Sequence, residues 1–319
     1  MPTDRFCVVV SGELLGDALE VLREHATVTE VESVASVLGT SVLERADALI
    51  CLITDRIGPD VLDQAPRLQI VANVAVGIDN IDVAACAARG VKVTNTPDVL
   101  TEATADLAFG LLLDAARRIS EGDRLVRAGG WKAWTPSFHL GTKVHGMKLG
   151  IVGLGRIGMA MARRARGFGM HVGYTQRTPQ PLERALGATF VPELDELLAT
   201  SDAISIHCPL TPETRGLFDA KRLAKMKRGS ILVNTARGPI VDEAALAHAL
   251  EHGPLAAAGI DVYANEPAVH PALLARPNAV LAPHIGSAER DTREKMASLA
   301  ATNVIAIVHG QPPLTPVNA

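Results

Sequence analysis

The stretch Lys148-Leu149-Gly150-Ile151-Val152-Gly153-Leu154-Gly155-Arg156-Ile157-Gly158 decides the fold of this chain. It opens as a short apolar strand, turns through glycines and runs into a helix. Ile157, Ala160, Met161, Ala165 and Phe168 recur there at helical spacing, so one face is buried. This is the G-x-G-x-x-G element that cradles a dinucleotide diphosphate. Gly153 permits the tight turn, Gly155 lets backbone approach the diphosphate, and Gly158 lets the helix pack on the strand. Leu154, Arg156 and Ile157 complete the cradle, where free N–H groups and the positive end of the helix dipole meet the anion.

The segment after this helix, residues 171–174, reads as the next strand. An acidic residue at its end would bind the ribose hydroxyls of NAD and repel a 2′-phosphate. The chain has Thr175-Gln176-Arg177-Thr178 instead. Arg177 can pair with a phosphate, and the threonine hydroxyls can donate to it. One charge-assisted bond is worth ~1.5–3 kcal/mol, or about a ten- to hundredfold preference. The expected cofactor is NADP, with NADPH preferred over NADH. The plainer alternative is that Arg177 is a solvated loop charge.

Outward from the glycine loop, residues 149–152, 171–174, 203–207, 231–234, 258–262 and 279–282 read as strands, with helical stretches such as 242–251 between them. Such a series suits a doubly wound sheet. Upstream, strand candidates at 6–10, 48–53, 69–73 and 91–94 alternate with helical stretches at 14–24, 59–64 and 82–88. This alternation means parallel pairing with helical crossovers. Residues 100–127 read as one long connecting helix, and the last helix, 287–309, is expected to return to the first domain. The expectation is an α/β protein of two Rossmann-like domains. A dinucleotide-binding domain at 99–287 is inserted in a flavodoxin-like substrate domain made of 1–98 and 288–319.

A chain of 319 residues is long enough for two cores, and a net charge of −4 gives no reason to expect nucleic acid or an anionic membrane as partner. Cys7, Cys51, Cys86 and Cys208 are far apart, which fits reduced thiols in a cytoplasm. The apolar run 6–10 is too short for a secretory signal, and no run nears the ~18–20 residues that span a bilayer. The histidines are scattered without an H-E-x-x-H pattern, so no metal is expected.

Three polar residues follow successive strands of the second domain: Arg237, Glu266 and His284. In a parallel sheet those strand ends share one edge, where ligands bind. Reduction of a 2-keto acid needs hydride at the carbonyl carbon and a proton for its oxygen. A histidine can supply the proton near neutral pH, and a hydrogen-bonded carboxylate favours its charged form. An arginine can hold the substrate carboxylate through a bidentate pair.

The chain resembles the D-isomer-specific 2-hydroxyacid dehydrogenase family over nearly its whole length. The resemblance is carried by the glycine loop and by residues 73–82 (NVAVGIDNID), 233–242 (VNTARGPIVD), 259–267 (GIDVYANEP) and 283–287 (PHIGS). It implies that Arg237 binds substrate, Glu266 tunes the histidine and His284 is the acid/base. It also implies that the backbone at Val76 and Gly77 holds the substrate carboxylate. Cofactor contacts are implied for Thr104, Cys208, Thr214, Thr235, Ala236, Asp261, His284 and Gly286.

Within the family the chain is most similar to glyoxylate/hydroxypyruvate reductases, through residues 131–136, 166–170 and Arg177. The resemblance implies NADPH-dependent reduction of a small 2-oxo acid by a homodimer, with Trp134 near the chain's own or the partner's pocket, or merely packing. A dehydrogenase of a bulkier 2-keto acid is one alternative. A phosphite-oxidising relative is another, though it would be expected to carry a basic residue at Val76. Outside enzymes, the rival is a nucleotide-sensing corepressor-like protein, for which a broken catalytic trio is expected.

Overall fold

The protein, described here from a computed structural model, is defined over residues 5–318. It divides into two units, Met1–Leu100 with Ser287–Ala319, and Thr101–Gly286.

The first unit holds five parallel strands: β1 (Cys7–Ser11), β2 (Thr27–Val31), β3 (Ala48–Cys51), β4 (Ile70–Asn73) and β5 (Lys92–Thr94), in the order β2-β1-β3-β4-β5. This is the flavodoxin-like order. Every residue of β3 and β4 is buried, as a central parallel strand covered by helices on both faces requires. The helix Arg290–Val308 packs against the helix Ala18–His25 and against β4 of this unit. Strand β2 is absent from the sequence-based expectation because it is a short edge strand, TVTEV, none of whose residues is fully buried. Burial periodicity has little to report there.

The second unit holds seven parallel strands: β6 (Lys148–Val152), β7 (His171–Thr175), β8 (Ala188–Phe190), β9 (Ala203–Ile206), β10 (Ser230–Asn234), β11 (Leu255–Ile260) and β12 (Ala279–Leu281). Their order, β12-β11-β10-β9-β6-β7-β8, is the doubly wound pattern with its switch point between β6 and β9. Six of these are expected from the sequence. The exception is the three-residue β8, which is too short to show a period. Two apolar clusters fill the two faces of the sheet, one around Leu112, Ile151 and Tyr174, the other around Ile206, Phe218 and Leu232.

The long helix expected over 100–127 is two helices, Thr101–Arg117 and Ile119–Arg127. Arg118 breaks it in a left-handed conformation, φ +58°. Asp114 then caps the second helix by accepting the Ser120 N–H at 2.7 Å and the Ser120 hydroxyl. The Arg118 guanidinium grips Glu121 at 2.6 and 2.8 Å. No glycine or proline marks this break, so local sequence could not show it. Among the described residues, no helix is long and apolar enough to cross a membrane.

Candidate active site

The glycine loop is built as the spacing requires. Gly153 has φ +94°, and a Cβ there would lie 2.8 Å from the Cys208 nitrogen. A Cβ on Gly158 would lie 2.2 Å from the Gly153 carbonyl oxygen, so only glycine lets the helix Arg156–Gly167 sit down on the loop. Around Gly155 there is open space. Gly155 is the N-cap, and no side chain caps the helix, which leaves its first N–H groups for an anion.

The end of β7 is more specific than its composition suggests. Thr175 is buried and its hydroxyl donates to the Pro192 carbonyl at 3.2 Å, so it is turned away from the strand edge. Gln176 stands first after the strand. Its Oε1 accepts the Leu154 N–H at 2.9 Å, and its amide donates to the Thr178 carbonyl at 2.7 Å. Gln180 adds a bond to the Leu154 carbonyl at 3.1 Å. A neutral side chain thus ties this segment to the glycine loop where an NAD enzyme would carry an acid. Arg177 and Thr178 are exposed beside it. The Arg177 charge is felt by Glu213, whose carboxyl is held below its ordinary range first by its bond with Thr211 and also by that arginine.

On the other side of the loop, Cys208 packs against Gly153. Thr214 donates to the Pro209 carbonyl at 2.7 Å, within a turn. Thr235 follows β10 with its hydroxyl buried and without a partner, an orphan that a bound polar group would satisfy. Open space at Gly155, an uncapped helix start and this orphan hydroxyl together fit a dinucleotide.

Asn234, the last residue of β10, shapes the next turn. Its side chain accepts the Ala236 N–H at 3.0 Å and donates to the Arg237 carbonyl at 3.0 Å. Arg237 leaves this turn half-buried, with Nη1 on the Ala236 carbonyl at 2.7 Å. Gly238 follows, and a Cβ there would lie 1.9 Å from the Tyr263 carbonyl carbon. The Arg237 turn therefore rests directly on the backbone of the loop that carries Glu266. Sequence reasoning passes over Asn234 and Gly238, although an amide at a strand end and a glycine after a functional arginine are both visible signals.

The third strand end completes the group. Asp261 is buried, and its carboxylate accepts the Ile285 and Gly286 N–H groups at 2.7 and 2.9 Å. Its own carbonyl accepts the His284 N–H at 2.9 Å. Burial pushes the Asp261 carboxyl up in spite of these donors. Thr104 donates to the Gly286 carbonyl at 3.1 Å, so Thr104, Asp261 and Gly286 form one cluster. Held by these bonds, His284 takes φ +54°, a costly conformation for a residue with a Cβ. Its Nδ1 lies 2.7 Å from Glu266 Oε2, while Glu266 Oε1 accepts the Tyr263 N–H at 2.9 Å. Burial pushes the Glu266 carboxyl up, but the bonds from His284 and Tyr263 and the nearby Arg237 charge outweigh it, so the group sits below its ordinary range. A carboxylate on Nδ1 makes Nε2 the ring atom free to exchange a proton. His207 is the contrasting case: burial holds its ring down to about 4, and it bonds Ser205 at 2.8 Å.

In the first unit, the loop after β4 is pinned through its carbonyls. Thr96 N–H donates to Ala75 O at 2.9 Å, Asn95 to Val76 O at 2.8 Å, and Asn73 to Gly77 O at 2.8 Å. With the carbonyls engaged, the Val76 and Gly77 N–H groups make no hydrogen bond among the described residues. Such a pair suits an anion.

Comparison with known proteins gives this arrangement a family. Residues 109–286 match the D-isomer specific 2-hydroxyacid dehydrogenase, NAD binding domain family. The chain is 49% identical to a glyoxylate reductase of Thermococcus onnurineus (strain NA1), over 98% of this chain and 95% of that protein. Among solved structures, a protein of Thermus thermophilus superposes with a TM-score of 0.90 at 47% identity, covering 98% of this chain and 100% of that one. An NADPH-dependent glyoxylate/hydroxypyruvate reductase of Sinorhizobium meliloti, in complex with NADP and malonate, superposes with a TM-score of 0.89 at 37% identity, covering 98% and 97%.

Proposed function

The chain belongs to the D-isomer specific 2-hydroxyacid dehydrogenase family, and from that premise we propose that it reduces glyoxylate or hydroxypyruvate to the D-2-hydroxy acid with NADPH. The observation that carries this reading is the His284–Glu266 pair at 2.7 Å, held at the same sheet edge as Arg237 and the glycine loop. The reduced nicotinamide supplies the hydride when bound. Arg237 grips the substrate carboxylate, and His284 Nε2 donates a proton to the carbonyl oxygen as it gains charge. Glu266 stabilises the imidazolium before transfer. An intact trio speaks for turnover over a sensing role.

The cofactor preference rests on the end of β7. Gln176 replaces the repelling acid with a neutral amide, and Arg177 stands exposed beside it. One experiment tests both parts of the proposal. A panel of glyoxylate, hydroxypyruvate, bulkier 2-keto acids and phosphite is assayed with each cofactor, for the parent and for Arg177→Ala. The small 2-oxo acids should have the highest kcat/KM, with NADPH over NADH by about ten- to hundredfold, and Arg177→Ala should erase most of that ratio. A bulkier acid or phosphite as best substrate would overturn the substrate assignment. A ratio unchanged in the variant would overturn the role of Arg177.

We also propose that the protein works as a homodimer. Ile119, Val126, Trp131, Trp134 and Leu140 are each more than half exposed within one short stretch of the second unit. A cluster of large apolar side chains of this kind marks an interaction surface. Sedimentation velocity should give a two-chain species, converted towards single chains by Trp134→Ser with Leu140→Ser. A single-chain parent sinks the idea.

A further inference from the structure

Glu243 opens the helix Glu243–Glu251, directly after Asp242, whose carboxylate caps that helix by accepting the Ala245 N–H at 2.9 Å. The cap is therefore already supplied, and the Glu243 side chain reaches elsewhere. Its Oε1 accepts the Ala264 N–H at 2.5 Å, and its Oε2 accepts the His270 N–H at 3.1 Å. Those two residues bracket the loop that carries Glu266. Most of the loop is exposed, and its internal ties are few: Ala268 N–H to Asn265 O at 2.9 Å, and Glu266 back to Tyr263. A loop with little buried apolar contact opens at low cost unless something pins its ends. Gly238 also lies against the Tyr263–Ala264 backbone, so the Arg237 turn rests on the segment that Glu243 anchors.

We propose that Glu243 is a positioning residue for proton transfer: its carboxylate staples Ala264 to His270 and so holds Glu266 against His284. The proposal deepens the reading of His284 as proton donor and rests on it. The charged groups around the imidazole come from three elements. Glu266 faces it from the stapled loop, Asp261 from the end of β11, and Arg237 acts on Glu266 from the turn after β10. Asp261 is locked by Ile285 and Gly286, and the Arg237 turn by Asn234. Glu266 is the member whose support depends on an exposed loop.

The test uses the full-length chain as Glu243→Ala, Glu243→Gln, Glu266→Gln and the double variant Glu243→Ala/Glu266→Gln. The glutamine variant retains one acceptor, so it keeps the test alive if the alanine variant does not fold. Two readouts are taken: the pH profile of kcat/KM for 2-oxo acid reduction, and the carbon-13 titration of the Glu266 carboxyl in glutamate-labelled protein, identified by its loss in Glu266→Gln. Loss of the staple should lower kcat about ten- to hundredfold and move the alkaline limb of the profile to lower pH, with NADPH binding retained. The Glu266 carboxyl should titrate higher, back towards an ordinary glutamate. In the Glu266→Gln background, Glu243→Ala should add almost nothing. An unmoved Glu266 titration overturns the proposal, as does a full additive loss in the double variant with an unchanged pH profile. If the parent reduces no 2-oxo acid, the activity reading fails on its own, and the carboxyl titration still decides the staple.

Discussion

His284→Ala lowers kcat for 2-oxo acid reduction by about a thousandfold, while NADPH binding stays near its original strength. The expectation follows from the ring's geometry. Glu266 occupies Nδ1 at 2.7 Å, which leaves Nε2 as the only imidazole nitrogen that can serve the substrate. His207 is a poor substitute, because burial holds its ring down to about 4 and the ring is bonded to Ser205 at 2.8 Å. The residues we propose for the dinucleotide lie in the glycine loop, at the end of β7 and in the turn after β10, so the change at His284 should leave binding of the cofactor's diphosphate and adenosine largely intact. The pH dependence has a definite sign. Glu266 has a depressed carboxyl, so its contribution to stability is present above its unfolded-state value and is lost as pH falls through the folded one. Steady-state kinetics with equilibrium NADPH titration checks the prediction. A His284→Ala variant within tenfold of the parent kcat refutes the assignment.

The second large effect belongs to Arg237. Arg237→Ala should lower kcat/KM for the 2-oxo acid by about a hundred- to ten-thousandfold. A bidentate guanidinium–carboxylate pair supplies two bonds of roughly 1.5–3 kcal/mol each, and both are lost together. Arg237→Lys should recover only a small part, because an ammonium is a point donor without the planar fork. The deficit should show in the KM for the acid as well as in kcat. Thermal unfolding should change less than activity does, since Asn234 still holds the turn through the Ala236 N–H and the Arg237 carbonyl when the Arg237 Nη1 bond to the Ala236 carbonyl is lost. Lysine activity equal to the parent's would mean that the charge matters and the fork does not. An alanine variant within tenfold in kcat/KM would remove Arg237 from substrate binding.

Much of the site is legible in the order of residues alone. The glycine spacing announces a strand, a tight turn and a helix, and a Cβ at Gly153 or Gly158 would indeed collide with backbone. Arg237, Glu266 and His284 can be grouped because parallel strands deliver their C-terminal ends to one edge. The side chains that support them are much harder to see. In the sequence Gln176 is one of four candidates for the ribose side; in the fold it caps the Leu154 N–H while Thr175 turns to Pro192. Glu243 reads like any first-turn glutamate of a helix. Its two donors, the Ala264 and His270 N–H groups, lie 21 and 27 residues away.

The sequence by itself determined the parallel architecture and the nucleotide-binding fold, and it supplied the residues proposed for the chemistry. Those features are written in short-range terms: apolar runs that must be buried, glycines where a Cβ cannot fit, and reactive groups placed after strands. Only the tertiary structure decided where the long helix breaks at Arg118, that β2 and β8 exist, and which way Thr175 and Gln176 turn. It also decided that one carboxylate spans the loop behind Glu266. Each of these depends on hydrogen bonds between segments distant in the chain or on packing at an edge, where local periodicity carries no information. Such partners become neighbours only after the sheet has assembled.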